Sequence, residues 1–471
     1  MTTATCQHAS DFSYIALNKR LSQLVVFLYV FSLPYDSFPY PFDIGGSLIK
    51  PLALPIALFL LPAVLMGLDA RRVNKSVFLI ILFCAYTLLM LVIFTFAYDF
   101  RIKQTTVPVH SLKGLLSIFS LFAGILIVYQ FGRGAHQNYV TLIRYGYYAV
   151  FLPLIAGVFQ ILVILFGPQF FMPPVRILSF VFLAPQYSLV DKVNRVMLLT
   201  LEPSVAAMQL ILFIIPVLLL YRSIHPTKKL PKFLLALSVI ELVFTFSALA
   251  LLWIAVCLIV LLCLALKDLL LRFRISKLGL SIFTLAVLLL LSSVFFLKDY
   301  FGYQKRKLDF LLRAGLLRGT DTRLANAITG LNVFVNENPI TGVGLSMLGF
   351  FYAQNAPDFV RSYPEGIRYS DLEDPMFPTA KNIFVRLLAE TGLIGFSIFL
   401  AFLIRLFRKL KKTSVYPAGR LQQTIYKLFL LSFCVCSLNT DSLLHFYIWF
   451  IFGLLILYQC TERHDAELVK V

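Results

Sequence analysis

Long runs of apolar residues are the feature that most restricts how this chain folds. Four such runs have few or no charges and reach about 20 residues, the length that crosses a hydrocarbon core of about 30 Å. They lie at 76–97, 112–131, 146–167 and 278–297. In lipid such a segment must be helical, because a helix satisfies its own backbone hydrogen bonds. Charged residues form only 14% of the chain, which excludes an ordinary soluble domain.

We predict an all-α fold, a polytopic transmembrane helical bundle of about 12 spans. The long run at 231–266 is divided into two spans around Thr245–Ser247. The predicted spans are 21–35, 47–67, 76–97, 112–131, 146–167, 200–221, 231–246, 248–266, 278–297, 387–407, 423–438 and 443–459.

Basic residues gather in the short loops on one side of this arrangement, the cytoplasmic side by the positive-inside rule. Both termini are then cytoplasmic. A net charge of +19 would also suit a nucleic-acid partner, but the confinement of these residues to inter-helix loops excludes it. The inner loops hold Arg71, Arg72 and Lys75; Arg133 and Arg144; Arg222, Lys228 and Lys229; Lys267, Arg272, Arg274 and Lys277; and Arg405, Arg408, Lys409, Lys411, Lys412 and Arg420.

One outer loop, residues 298–386, is far longer than the other loops, and a second runs from 168 to 199. The chain therefore divides into spans one to nine (1–297), a periplasmic loop (298–386), and spans ten to twelve with a cytoplasmic tail (387–471). The histidines and cysteines are scattered without ligand spacing, so we expect neither a metal nor another cofactor.

An amphipathic helix is predicted inside the long loop. Thr320-Asp321-Thr322 offers an N-cap, and Asn338-Pro339 ends the helix because a residue before proline disfavours the helical conformation. Arg323 lies off the apolar stripe, which would rest on the membrane surface, and Gly342 and Gly344 form a following turn. The stripe consists of Leu324, Ala327, Ile328, Leu331, Phe334 and Val335.

Charged residues follow, first in an irregular polar stretch from Tyr352 to Lys381 and then at the entrance of span ten. Arg386 and Glu390 are four residues apart on one helix and can pair. An ionisable residue at membrane depth is a functional candidate, and a structural pair is the alternative. The polar stretch holds Arg361, Glu365, Arg368, Asp371, Glu373 and Asp374.

Two smaller groups lie elsewhere on the predicted outer rim. Arg195 and Glu202 bracket the outer end of span six, where the carboxylate either binds substrate or is stabilised by the helix dipole. Asp441 and His445 lie in the last outer turn, where a lone histidine is more often an interfacial residue than a base.

Two segments resemble the O-antigen ligase and polymerase family of bacterial inner-membrane glycosyltransferases. Arg323, the amphipathic stretch and N-P-x-x-G-x-G at 338–344 form the first. Lys381-Asn382 with A-E-x-G-x-x-G at 389–395 form the second, and Glu202-Pro203-Ser204 after Arg195 is a weaker third. The resemblance covers about 195–405 and implies a GT-C-like bundle with 298–386 as its catalytic loop.

The resemblance implies that undecaprenyl-diphosphate-linked oligosaccharide in the membrane lipid is the donor, without a metal. A chain-length regulator protein is a further candidate partner. The family's arginines, implicated in holding the lipid diphosphate, map onto Arg195 and Arg323. Ligases of the family place a histidine where this chain has Lys381. An ordinary lysine is protonated at neutral pH and is a poor base, so we favour a polymerase.

The candidate catalytic residues are therefore Arg323, Arg195, Lys381 and Glu390. Glu390, Asp374 and Glu202 are alternative bases, and the sequence does not choose between them. Candidates for substrate binding are Glu202, Asn382, Arg386, Gly342, Gly344, Arg361 and Arg368.

Two other functions compete with the polymerase. An O-antigen ligase would transfer the glycan to lipid A core. A transporter or flippase of lipid-linked oligosaccharide would line a path through several spans with charges, whereas the charges here cluster on one side.

Overall fold

The computed structural model describes residues 19–40, 49–68, 73–99, 101–102, 105–133, 136–183, 195–200, 202–259, 318–362, 364–371, 373, 377–410, 417–440 and 442–468. Apart from one two-stranded ribbon, β1 Arg101–Ile102 with β2 Thr105–Thr106, the regular elements of these residues are helices.

Apart from single turns, six helices precede the second outer loop, one lies within it, and eight follow it within the described residues. The first seven are α1 Lys19–Ser32, α2 Ala53–Met66, α3 Lys75–Ala97, α4 Val107–Gly132, α5 His136–Ala149, α6 Phe151–Phe166 and α7 Pro168–Phe182. The others are α8 Pro203–Ile224, α9 Leu230–Phe244, α10 Ala248–Ile259, α11 Arg318–Asn336, α12 Pro364–Ser370, α13 Ile383–Lys409, α14 Pro417–Ser437 and α15 Phe446–Leu468.

The chain is a multi-pass helical membrane protein. Five segments among the described residues are long and apolar enough to cross a membrane: α3, α4, the continuous α5–α6 segment, α8 and α13. Every predicted span within the described residues coincides with a helix, and the break between α9 and α10 confirms the division around Thr245–Ser247. The span at 278–297 lies outside the described residues, so the count of about 12 stays a prediction.

The bundle is centred on α4 and α15. Side chains of α15 from Phe446 to Leu457 are almost all buried, including Trp449. Glycines allow the two helices to approach closely, since a Cβ on Gly124 would meet the Trp449 side chain and one on Gly453 would meet Val128. Small residues serve this purpose at helix contacts in membranes.

Three predicted boundaries were wrong. The helix of the long loop begins at Arg318, so Asp321 lies inside its first turns, where the dipole favours an acid, and is not at its cap. Helix α7 occupies part of the loop predicted at 168–199, and Arg144 lies within α5 instead of a loop.

The polar stretch after Tyr352 also contains more structure than predicted. It holds a single helical turn at Tyr352–Asn355, a 3-10 turn at Val360–Ser362, and α12. Proline at the start of α12 fits the first helical turn, because that position needs no hydrogen-bonded N–H.

Helix α11 packs on the bundle with one face and leaves much of its predicted apolar stripe exposed. Its fully buried residues include the small or polar Ala325, Asn326 and Thr329 as well as Val333. Leu324, Leu331 and Val335 of the predicted apolar stripe are 61%, 41% and 65% exposed. The bulky apolar face therefore points away from the bundle.

Candidate functional site at the outer end of the bundle

The two resembling segments meet at the end of the bundle that the charge pattern predicts to be outside, here called the outer end. Residues 338–344, the crossing segment, lie against α13. Backbone hydrogen bonds join Val343 N to Ala389 O at 3.0 Å and Gly344 N to Glu390 O at 2.9 Å. Leu393 N donates to Pro339 O at 2.9 Å. The backbone contact is therefore continuous between the crossing segment and residues 389–393 of α13.

Glycines make this backbone contact possible. Gly342 has a φ of 76° and Gly392 a φ of 62°, in the left-handed region that glycine adopts without strain. A Cβ on Gly342 would clash with the backbone of Glu390, and one on Gly392 would clash with Ile340 O. Gly342 and Gly344 thus have a structural role, and their contact with substrate stays a prediction.

Arg386 and Glu390 form a buried ion pair beside this crossing. Arg386 Nε lies 2.9 Å from Glu390 Oε2, and the side chains are 9% and 3% exposed. Arg386 Nη2 also donates to Ser346 Oγ at 2.9 Å. Because the Glu390 carboxylate is committed to this pair, it is poorly placed to take a proton from a substrate.

Lys381 and Asn382 form the entrance of α13. The Asn382 side chain caps the helix by accepting hydrogen bonds from Phe384 N at 3.0 Å and Val385 N at 3.2 Å. Lys381, the residue before the cap, has a φ of 53°. The cap gives Asn382 a structural role. It also fixes the backbone at the start of α13, directly after Lys381.

Arg323 connects α11 to the last outer turn. Its Nη1 donates to Asn439 Oδ1, in the segment between α14 and α15. Two turns further along α11, Gly330 lies against Ala380 and Val385 at the start of α13. Helix α11 therefore bridges the entrance of α13 and the turn before α15, with Arg323 at the second contact.

Arg195 lies before a turn that a single buried side chain holds. Gln160 of α6 accepts hydrogen bonds from Met197 N at 2.8 Å and Leu198 N at 2.9 Å, and donates to Leu198 O at 2.7 Å. Val196 N donates to Phe244 O at 3.0 Å. Leu198 has a φ of 51°, a conformation that costs a non-glycine residue energy and persists only where its surroundings enforce it.

The other predicted residues lie on exposed surface. Glu202 is the N-cap residue of α8, and Ser204 Oγ lies 3.1 Å from its carboxylate. Exposed Arg361 donates to Ala353 O at 3.0 Å, and Arg368 is exposed on α12. Asp374 and Asp441 lie outside the described residues.

A buried contact at the outer end was missed by the sequence analysis. His445 Nδ1 lies 2.5 Å from Asp36 Oδ2, with both side chains 1% exposed. Burial raises the pKa of the Asp36 carboxyl, and the neighbouring His445 opposes that rise. The pair joins the segment after α1 to the start of α15. No pattern in the sequence relates two residues so far apart, and the prediction of an interfacial His445 was wrong.

Residues 233–400 match the family model described as O-antigen ligase. This stretch of the chain, from α9 into α13, is therefore similar to the O-antigen ligase family. The match includes Arg323, the crossing segment, Lys381 and the Arg386–Glu390 pair. Arg195 and Glu202 lie before it. The comparison with curated proteins gives no match.

Proposed function

We propose that this protein is a polymerase of a surface polysaccharide, namely O-antigen, capsule or exopolysaccharide. It transfers glycan between repeat units linked to undecaprenyl diphosphate, on the periplasmic face of the bacterial inner membrane, with both termini in the cytoplasm. The family supports glycan transfer between lipid-linked substrates. Lys381, at the position of the ligases' histidine, favours the polymerase.

The observation that carries the proposal is the setting of Arg323. It is held by a side-chain contact to Asn439 at the junction of α11 with the turn before α15. A guanidinium fixed in this way suits a diphosphate, because it offers paired donors and a permanent charge. Arg195, whose turn is held by Gln160, is the second cation in the proposal, and Lys381 supports both.

The reaction breaks one bond and forms one. A hydroxyl oxygen of the acceptor glycan attacks the anomeric carbon of the donor, and the bond from that carbon to the diphosphate oxygen breaks. The leaving diphosphate takes the electron pair, and the hydroxyl proton goes to a base. Negative charge grows on the leaving group, so preorganised arginines lower the barrier.

Glu202 is our choice for the base. It is exposed at the start of α8, whereas the Glu390 carboxylate is buried in its pair with Arg386. A base must come within hydrogen-bond reach of the proton it removes, and an exposed carboxylate at the outer end meets that requirement better than a buried one.

Reconstitution tests the proposal. The purified protein is placed in vesicles with lipid-linked repeat unit, and products are separated as a ladder on a gel. We expect a ladder from the wild type and a loss of about 100-fold to 1,000-fold in Arg323→Ala, as for removal of one preorganised charge-stabilising group. Arg323→Lys keeps the charge without the paired donors and should lose less. A normal ladder from Arg323→Ala contradicts the diphosphate role.

The ligase is the second candidate, because the matching family model is described as O-antigen ligase. The same vesicles with lipid A core added separate the two functions. A polymerase extends lipid-linked units whether or not the core is present. A product that appears only with the core, as core-linked glycan, would establish the ligase.

A further inference from the structure

Five polar side chains form a connected group at the end of α11 that the mechanism above does not use. This group, the amide cluster, joins the last residues of α11 to the helical turn Tyr352–Asn355. It consists of Asn332, Asn336, Glu337, Gln354 and Asn355.

Short hydrogen bonds fix the geometry of the amide cluster. Gln354 Nε2 and Asn355 Nδ2 both donate to Glu337 Oε1, at 2.6 Å and 2.7 Å. Asn336 Nδ2 donates to Asn355 Oδ1 at 2.9 Å, and Asn332 Nδ2 donates to Asn355 O at 3.0 Å. Each amide donates one N–H to a hydrogen bond inside the cluster. Its carbonyl oxygen lies in the same plane as that N–H, so the cluster also fixes the orientation of the oxygen.

The amide cluster lies at the surface beside an aromatic side chain. Asn336 and Gln354 are exposed. Tyr98, at the end of α3, stacks on Phe94 with ring centroids 5.4 Å apart. The Tyr98 ring also packs edge-on against the Phe351 ring, with centroids 5.3 Å apart, and the Phe351 backbone oxygen accepts a hydrogen bond from Asn355 Nδ2 of the amide cluster at 2.9 Å. Polar planar groups and an aromatic ring are thus brought together on the outer end.

This combination fits a sugar better than other ligands. A pyranose has hydroxyls that donate and accept together, as amides and carboxylates do, and it has an apolar face suited to an aromatic ring. Glu337 would repel a phosphate. One carboxylate with side-chain amides also falls short of the six to eight oxygens that calcium requires. The internal hydrogen bonds preorganise the surface, which lowers the cost of binding.

The position of the amide cluster relates it to the reaction. Asn336 follows Arg323 by thirteen residues on one helix, a distance of about 20 Å at the rise of an α-helix. That is too far for contact with the breaking bond and is the length of a short oligosaccharide. We propose that the amide cluster is a saccharide-binding subsite, which holds the glycan chain several sugar residues away from the reacting carbon. This inference rests on the proposed glycan transfer.

The variant Asn336→Ala/Gln354→Ala removes the two exposed amides and keeps Glu337 and Asn355 in place. In the vesicle assay we expect the ratio of long to short products to fall about tenfold, the loss of one or two net hydrogen bonds. Asp358→Ala, another exposed polar residue of the same region, is the matched control and should leave the ratio unchanged. An unchanged ratio in the double variant overturns the subsite, whatever happens to the overall rate.

A binding measurement separates failure of this inference from failure of the proposed function. Soluble repeat-unit oligosaccharide is added to the full-length protein in detergent, and saturation-transfer NMR reports contact. We expect binding by the wild type and by Arg323→Ala, and its loss in the double variant. This result would support the subsite even if the wild type made no polymer. Equal binding by all three proteins, or none by the wild type, would overturn it.

Discussion

Two regions of the outer end position their candidate residues differently, one through backbone contacts and the other through a side chain. At the crossing segment, two stretches of backbone are hydrogen-bonded directly to each other, and Gly342 and Gly392 lack the Cβ atoms that would clash at the closest approach. At the turn after Arg195, one glutamine from a neighbouring helix makes three hydrogen bonds to the backbone. The first region is held by backbone-to-backbone hydrogen bonds, whereas three of the hydrogen bonds of the second come from one side chain.

The difference has consequences for mutation. A defect in the crossing segment strains the backbone of α13 itself and so affects the whole fold. A defect at Gln160 releases one turn and displaces Arg195 while the bundle stays assembled. Four substitutions test this contrast, from the largest expected loss of folded protein to the smallest.

Arg386→Leu should have the largest effect. It leaves the Glu390 carboxylate buried without its partner, and breaking a buried pair in this way costs about 3 to 5 kcal/mol. We expect a strong fall in the yield of folded protein and in Tm in detergent. The double variant Arg386→Leu/Glu390→Leu removes both charges and should recover most of the loss. If the double variant is as unstable as the single one, the cost comes from packing and not from the unpaired charge.

Gly342→Ala should follow, with a loss of about 2 to 4 kcal/mol from a left-handed φ combined with a clash. The added Cβ would meet the backbone of Glu390, which cannot rotate away. Gly167→Ala is the matched control, because Gly167 has a φ of 92° and open space around its Cβ. It should cost only the conformational strain, about 1 kcal/mol. Equal shifts in Tm for the two variants would show that the close approach of the backbones contributes nothing.

Gln160→Leu should lower stability by about 1 to 3 kcal/mol, the cost of unpaired backbone groups, and lower glycan transfer more severely. A displacement of Arg195 by about 1 Å is enough for a loss of roughly 100-fold. Gln130→Leu is the control, since Gln130 of α4 donates to Gly67 O at 2.6 Å, away from the turn that Gln160 holds. A similar loss of transfer in both variants would mean that Gln160 acts only through general stability.

Tyr86→Phe should have the smallest effect. The Tyr86 hydroxyl bonds Thr391 O at 3.1 Å and Thr341 O at 3.3 Å, and thus adds a side-chain contact to the crossing segment. Its loss should cost about 1 kcal/mol, measured as a small shift in Tm. Tyr148→Phe, at an exposed tyrosine of α5, should cause no shift. A large effect of Tyr86→Phe would mean that the crossing depends on side chains more than its backbone contacts imply.

The same contrast explains what the sequence could predict. The helical spans follow from apolar length, and the segments that meet at the crossing carry a recognisable pattern of glycines, which backbone contact requires. The i,i+4 spacing of Arg386 and Glu390 allowed a pair on one helix. Gln160 is one polar residue in an apolar run, and Asp36 and His445 are separated by most of the chain. Contacts of this kind depend on how the spans are arranged, which local patterns do not encode.

The outward apolar face of α11 ties the chemistry to the surface of the bilayer. A helix with Leu324, Leu331 and Val335 on its free side is stabilised when that side sinks among lipid head groups. Arg323 lies on the same helix. Its height above the acyl chains is therefore set by the depth of the helix in the lipid and not by the conformation of a flexible loop. If Arg323 binds the diphosphate as proposed, altered thickness or head-group charge of the host membrane should shift the depth at which that diphosphate is bound.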